Sequence, residues 1–457
     1  MNEFSGFPRN LAYSVKKLSA FSKTCVKCTP DKWNNVNAGE TIRVKLPPNS
    51  LIDLRTLTMY FDGTISSTAG KAHFPRLSSS LIEQMSIYVN GTMIENIQQY
   101  GLLYNTLFDL DCDGIDQFSK RSVLENYDPS VSYTADDVGG SATCLFNTSL
   151  ATPNDTKKPM MINQWLGFIG SASTPVIDTN DCSDIYLEVR FANPTVLFSA
   201  GATEAQGVSY KLDDIRFTIS KIVFNSPDYY NMKASKLLGE GLVVGYQTYI
   251  TNKGSSQSKT SSLSYTVNIN STSLDQVIGT FLDKDYNSIK PLILSGANAD
   301  ASTAAFAKAL AEPKNDDKLF NQSVAFQRNA TGLKCSSYEI NNVMMNAYPL
   351  PASEIFNETL IALGNNNIDM ASGIAAGCVS LDAHFVKYYF AHILSLENLS
   401  NDGQFFKSGL DGRAASMTIN WKSSFADGQT DTCTPVLFCK TTRLLQINEA
   451  HQISVVV

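Results

Sequence analysis

Residues 79–107 read SSLIEQMSIYVNGTMIENIQQYGLLYNTL, and two structural periods meet in them. MSIYV and TMIENI are runs with a period of two, joined by Asn90-Gly91. Asn-Gly between two such runs is the strongest short hairpin signal, because a type I′ turn needs positive φ at both central residues. The period then changes: in IQQYGLLYNTLF, Tyr100, Leu103, Tyr104, Leu107 and Phe108 fall on one side of a helix. A strand, a tight turn, a strand and a short helix are therefore expected in that order.

Outward from this stretch, alternation dominates. TIRVKLP puts Ile42, Val44 and Leu46 on one face against Arg43 and Lys45, and LTMYFDG repeats this with Leu57, Met59 and Phe61. Ile185, Leu187, Val189 and Phe191 form another inward row, as do Ile215, Phe217 and Ile219. One apolar face per strand means antiparallel sheets covering a core on one side. The second half continues with LVVGYQTYIT, LSYTVNIN, ASMTINWKSSF (Met417, Ile419 and Trp421 aligned) and two strands in RLLQINEAHQISVVV. Helices are few: besides 97–108, PASEIFNETLIALG and ASTAAFAKALAEP carry the pattern. Residues 225–241, NSPDYYNMKASKLLGEG, lack alternation, which sets a boundary near residue 226. The expected organisation is an N-terminal arm (1–38) and two β-sandwich domains (39–226 and 227–457).

The totals exclude several classes. The 457 residues exceed one compact core, and 43% hydrophobic content excludes global disorder. A formal charge of -7 argues against a surface that binds nucleic acid or anionic lipid throughout. No stretch has the apolar length of a signal peptide or membrane span, so an intracellularly made, unsecreted protein with mostly reduced cysteines is expected. The N-x-S/T sequons then read as chance products of an Asn/Ser/Thr-rich chain.

Motifs for chemistry are weak. DLDCDGIDQFSK (109–120) places Asp109, Asp111 and Asp113 like an EF-hand loop, with Gly114 at the turn. Position twelve is Lys120 where a bidentate Glu is needed, and Asp116 replaces the usual apolar residue, so an acidic turn is expected rather than a calcium site. GEGLVVG resembles a dinucleotide fingerprint but continues as strand. His73, His384, His392 and His451 are scattered. Cys25/Cys28 and Cys433/Cys439 could jointly hold zinc, yet the second spacing is atypical, and free thiols are expected. No cofactor, metal or catalytic residue is assigned, and no enzyme activity is expected.

Four stretches together resemble the double jelly-roll major capsid proteins of polinton-like viruses, polintons and virophages. They are residues 79–107; SLSYTVNINSTSLDQVIGTFLD (262–283); SGLDGRAASMTINW (408–421); and PVLFCKTTRLLQI (435–447) with the final strand. The resemblance implies an all-β fold of two tandem eight-stranded jelly rolls with a few short helices in connecting loops. It also implies a homotrimeric, pseudo-hexameric capsomer that tiles an icosahedral shell around a DNA genome. Implied partners are neighbouring capsomers, penton and minor capsid proteins, and non-specific interior contact with DNA or an internal membrane; the location implied is the virion. The alternatives are a two-domain β-sandwich adhesin or carbohydrate-binding protein, or a glycan-directed hydrolase on paired jelly rolls. Only Trp33, Trp165 and Trp421 are available for a sugar face, which weakens the lectin reading.

The arm is the candidate assembly element. Within residues 1–30, Arg9, Lys16, Lys17, Lys23 and Lys27 stand against Glu3 alone. Phe4, Phe7, Leu11, Tyr13, Leu18 and Phe21 interleave with these charges, and no strand alternation is evident. Large apolar groups are each worth roughly 1.5–3 kcal/mol when buried. Phe4, Phe7, Arg9, Tyr13, Lys16, Lys17 and Phe21 are therefore expected to dock on neighbours or face the shell interior.

Overall fold

The computed structural model describes residues 21–66, 71–75, 77–111, 158–182, 184–200, 208–224, 227–239, 241–284, 286–291, 326–363, 385–397, 409–412, 416–448 and 452–456. The principal strands of the first half are β1 Phe21–Cys28, β2 Thr41–Lys45, β3 Leu51–Ser66, β4 Ile82–Val89, β5 Thr92–Gln98, β6 Lys158–Ile162, β7 Ile185–Phe191 and β8 Ser209–Phe224. Those of the second are β9 Leu242–Lys253, β10 Leu263–Ile269, β11 Leu274–Asp283, β12 Leu333–Ile340, β13 Val343–Met344, β14 His392–Ser395, β15 Met417–Phe425 and β16 Thr432–Ile447.

The two halves repeat one topology. The first forms sheets β1-β8-β3-β6 and β2-β7-β4-β5; the second forms β9-β16-β11-β14 and β10-β15-β12-β13. Counted one to eight within each half, both give 1-8-3-6 facing 2-7-4-5, and these pairings are antiparallel. Such an order is two interlocked Greek keys closed into a sandwich.

The inward rows read from the sequence are buried. Ile42, Val44, Leu57, Met59, Phe61, Ile185, Leu187, Val189 and Phe191 line the first core, and Met417, Ile419 and Trp421 the second. Trp421 stacks on Phe281 with ring centroids 4.3 Å apart, and its indole N–H donates to Ser336 Oγ at 2.7 Å. Trp165 is buried too, its Nε1 donating to the Leu57 carbonyl at 2.9 Å. Of the three tryptophans only Trp33 is exposed, so two rings of the suggested sugar face are core. Asn90 and Gly91 take φ of 48° and 78°, the I′ turn that Asn-Gly implies.

Helix α1 (Tyr100–Asp111) follows β5 and is buried nearly all round. Tyr100, Tyr104 and Phe108 stack along one side, and Asn105 Nδ2 donates to Ser80 Oγ at 2.9 Å. Gly101 permits that closeness, since a Cβ there would lie 3.0 Å from the Ile82 carbonyl. Residues 225–241, which lack alternation, contain helix α2 (Pro227–Gly239). The third helix, α3 (Ala352–Ala362), matches PASEIFNETLIALG. The helix expected over 301–313 lies outside the described residues.

One expectation is corrected. Residues 21–28 do not belong to an arm outside the fold: they are β1, the first strand of the first sandwich, paired with β8 from Phe21↔Phe224 to Cys28↔Phe217. The period of two was hidden because β1, which among the described residues lies at the end of its sheet, has mostly exposed side chains, so no apolar row marks it.

Candidate assembly surfaces

The halves meet along a seam built mainly from β5 and β9. Tyr246 Oη donates to the Ile94 carbonyl at 2.8 Å, and Thr251 Oγ1 to that of Gln98 at 2.8 Å. The outer edge of β9 is taken up by the segment after β6. Gly245 N donates to Ser173 Oγ (3.1 Å), Gln247 N to Ser171 Oγ (2.8 Å), and Ser173 N to the Gly245 carbonyl (2.8 Å). These bonds use strand groups that would otherwise form an open edge.

Glu95 of β5 is buried in this seam and accepts from the Phe168 N–H through both oxygens, at 3.1 and 3.0 Å. Burial pushes its carboxyl from 4.5 up to about 8, against the opposing hydrogen bonds from Phe168 and Thr248 and the nearby charge of Arg443. Gly167, at φ 73°, is required there, because a Cβ would sit 2.0 Å from Glu95 Oε1. A cleft of about 310 Å³ opens beside it, lined by Met93, Gln98, Thr248, Thr251 and Arg443 among others.

A second tie joins α1 to the other half. Arg328 Nη2 donates to Asp109 Oδ2 at 2.7 Å, with both side chains fully buried. Asp109 sits in the last turn of α1, where the helix dipole disfavours an anion, and the guanidinium offsets both that and the desolvation. The first residue of the EF-hand-like stretch is thus engaged inside the protein; residues 112–120 lie outside those described. Helix α2 is fixed to the first half through Lys233, which contacts Asp178 (2.5 Å) and Asp181 (3.0 Å).

Of the candidate arm residues, Phe4, Phe7, Arg9, Tyr13, Lys16 and Lys17 lie outside the described residues, and Phe21 opens β1. The cysteine pairs do not converge. Cys25 and Cys28 lie three apart on a strand, hence on opposite faces, one exposed and one buried. Cys433 and Cys439 lie six apart on β16, roughly 20 Å along an extended strand. No group of three or more His, Cys, Asp or Glu could hold a metal among the described residues. His392 is inside the second core with its Nδ1 3.2 Å from Ser336 Oγ, and burial pulls it down to about 3, so the pair has no access to substrate.

Sequence reasoning missed Glu95, Arg328, Ser171 and Ser173. Their roles rest on partners 72 to 219 residues away, and nothing local marks them.

Exposed apolar side chains include Val343 (62% exposed), Met344 (41%), Tyr348 and Ile361 on β13 and after it, Tyr230, Met232 and Leu238 on α2, and Met93 (51%) on β5.

Among solved structures, the PBCV-1 virus capsid chain matches over 96% of this chain and 97% of its own, at 10% identity and a TM-score of 0.58. The Faustovirus major capsid protein matches over 94% and 91%, at 11% identity and a TM-score of 0.55. A chain of the Sputnik virophage matches over 95% and 88%, at 9% identity and a TM-score of 0.53. The fold is the double jelly roll of viral major capsid proteins.

The double jelly roll accounts for the repeated 1-8-3-6 and 2-7-4-5 order, and for matches that run nearly end to end. No protein-family profile matches the chain. A curated sequence, pectate lyase 2 of Ambrosia artemisiifolia, is 26% identical over 149 residues, which is 30% of this chain and 37% of that protein's length.

Proposed function

We propose that this double jelly roll is a major capsid protein. It forms homotrimers, each a pseudo-hexameric capsomer, and these tile an icosahedral shell enclosing a DNA genome. The observation that carries the reading is the shared fold with viral capsid chains over nearly the whole length of a protein that joins its two barrels through a hydrogen-bonded seam. A chain that already packs barrel against barrel has a surface suited to repeating that contact.

In this reading the chain divides near residue 226 into two barrels, with α2 as the connector. Neighbouring capsomers, penton and minor capsid proteins are its partners, and the genome or an internal membrane lies beneath. Residues Phe4, Phe7, Arg9, Tyr13, Lys16 and Lys17 act in assembly on the interior side, where their positive charge suits an anionic surface. The protein is made inside the host cell and resides in the virion. Its role is structural rather than enzymatic, since the nucleophile-and-base pair nearest to hand, Ser336 and His392, is sealed in a core.

Native mass spectrometry tests this directly: three times 50.0 kDa is expected, with hexagonal or triangular particles in negative stain. A stable monomer at micromolar concentration refutes it.

A further inference from the structure

One end of the second sandwich closes over a buried lysine. After β9 the chain forms the short strand Gln257–Ser258, which pairs with β16 at Gln257↔Cys433. Lys259 follows, and its backbone N–H donates to the Asp431 carbonyl at 3.1 Å. Two positions beyond Gln257, its side chain lies on the same face of the sheet as Gln257 and the buried Cys433. Lys259 is only 3% exposed, and its Nζ lies 5.8 Å from the centre of the Phe425 ring. Lysines are almost never buried to this degree unless they are paired.

The partner of Lys259 is a carboxamide. Its Nζ donates to Asn329 Oδ1 at 3.2 Å. Asn329 is anchored by its own N–H, which donates to the Phe281 carbonyl of β11 at 2.8 Å. The same Oδ1 accepts from the Thr331 N–H at 2.9 Å, so two donors polarise this carbonyl. Its carbon is one bond beyond the oxygen that the amine already touches. Burial pulls the Lys259 ammonium below its usual 10.5, against the opposing effects of Cys433, Asp283 and Asp431. A desolvated lysine gives up its proton more readily and becomes a nucleophile.

A carboxylate completes the group. Leu282 bridges Arg328, so the next residues, Asp283 and Asn329, share the other face of the sheet. Asp283 is also paired with Cys433, which puts it on the face that carries Lys259. Asp431 is instead engaged with Lys284 at 3.6 Å. Burial pushes the Cys433 thiol up to about 11, so at neutral pH it stays protonated and does not compete as a nucleophile.

We propose that Lys259 and Asn329 join in an isopeptide bond, a reaction of the folded chain with itself. Neutral Lys259 Nζ attacks Asn329 Cγ; the Nζ–Cγ bond forms and the Cγ–Nδ2 bond breaks. Asp283 takes the proton that the amine loses and passes it to Nδ2, which leaves as ammonia. No oxidant or cofactor is consumed. The fold supplies the proximity that a free lysine and asparagine lack. The product closes a covalent ring from residue 259 to residue 329 that contains β10 and β11. Such a ring restricts the unfolded chain as a disulfide does. The bond is internal to one chain, so it stands or falls independently of the capsid reading.

Mass spectrometry of the folded full-length protein reads the bond directly. Expected are an intact mass below the sequence mass by one ammonia and, after trypsin, a branched peptide joining residues 259 and 329. Lys259→Arg and Asn329→Ala should each remove the branched peptide. In a time course after refolding, Asp283→Ala should slow its appearance by about a hundredfold. Parent protein that keeps the full sequence mass and yields residues 259 and 329 in separate linear peptides overturns the proposal, whatever the variants do. Loss of ammonia without the branched peptide also overturns it, since an asparagine cyclising onto its own backbone gives that result. A parental rate in Asp283→Ala overturns the part given to that carboxylate.

Discussion

Glu95 makes the seam sensitive to pH, and the sign follows from its environment. Its carboxyl titrates near 8 in the folded protein and near 4.5 when exposed, so between those values the folded state holds a proton that the unfolded state has lost. Stability is therefore greatest below about pH 4.5 on this account, and it falls as pH rises towards 8. Glu95→Gln keeps an acceptor for the Phe168 N–H and removes the titration. Urea titrations across this window should show the variant gaining on the parent as pH rises, by a few kcal/mol at most, and a constant difference would refute the assignment. His392 acts in the opposite sense: held at about 3 by burial, it costs stability as pH falls below 6.5, so only the difference between variants isolates Glu95. The buried Arg328–Asp109 pair makes a second prediction. Arg328→Met removes the guanidinium from a buried carboxylate and should cost about 3–5 kcal/mol, whereas adding Asp109→Leu should recover most of that loss. None of this was legible locally. Asp109 reads in sequence as the first ligand of a metal loop because the guanidinium that neutralises it is 219 residues away.

Single elements were legible in proportion to their burial on one face. β2, β7 and β15 alternate because water meets one side and the core the other, and the Asn90–Gly91 turn is encoded by its own residues. β1 escaped because its side chains are mostly exposed and its lysines resemble those of a flexible tail. α2 escaped because its exposed Tyr230, Met232 and Leu238 blur the polar face of a surface helix. The status of β1 yields a prediction about truncation. Deleting residues 2–20 should leave the melting temperature nearly unchanged and impair shell formation. Extending the deletion to residue 28 removes the whole β1–β8 ladder and uncovers Ile219 and Phe217, so it should lower the melting temperature sharply or abolish folding. Equal melting of the two truncations, read by calorimetry, would contradict the placement of β1 in the sheet.

At the scale of the molecule, alternation shows which face of a strand is buried but not which edges meet. The paired barrels were therefore legible through resemblance, and the seam between them only in three dimensions. The electrostatics of the whole chain then separate two levels of association. Each chain carries -7, so the proposed capsomers would repel one another. Within the proposed trimer, permanent interfaces of this kind are held mainly by apolar burial, which responds far less to salt than charge does. Between trimers the repulsion acts across solvent, where the Debye length shrinks from about 30 Å at 0.01 M salt to about 8 Å at 0.15 M. Raising salt through this range should leave the trimer mass unchanged and promote sedimenting particles. Dissociation of trimers over the same range, followed by sedimentation velocity, would mean that charge rather than apolar burial holds the capsomer together.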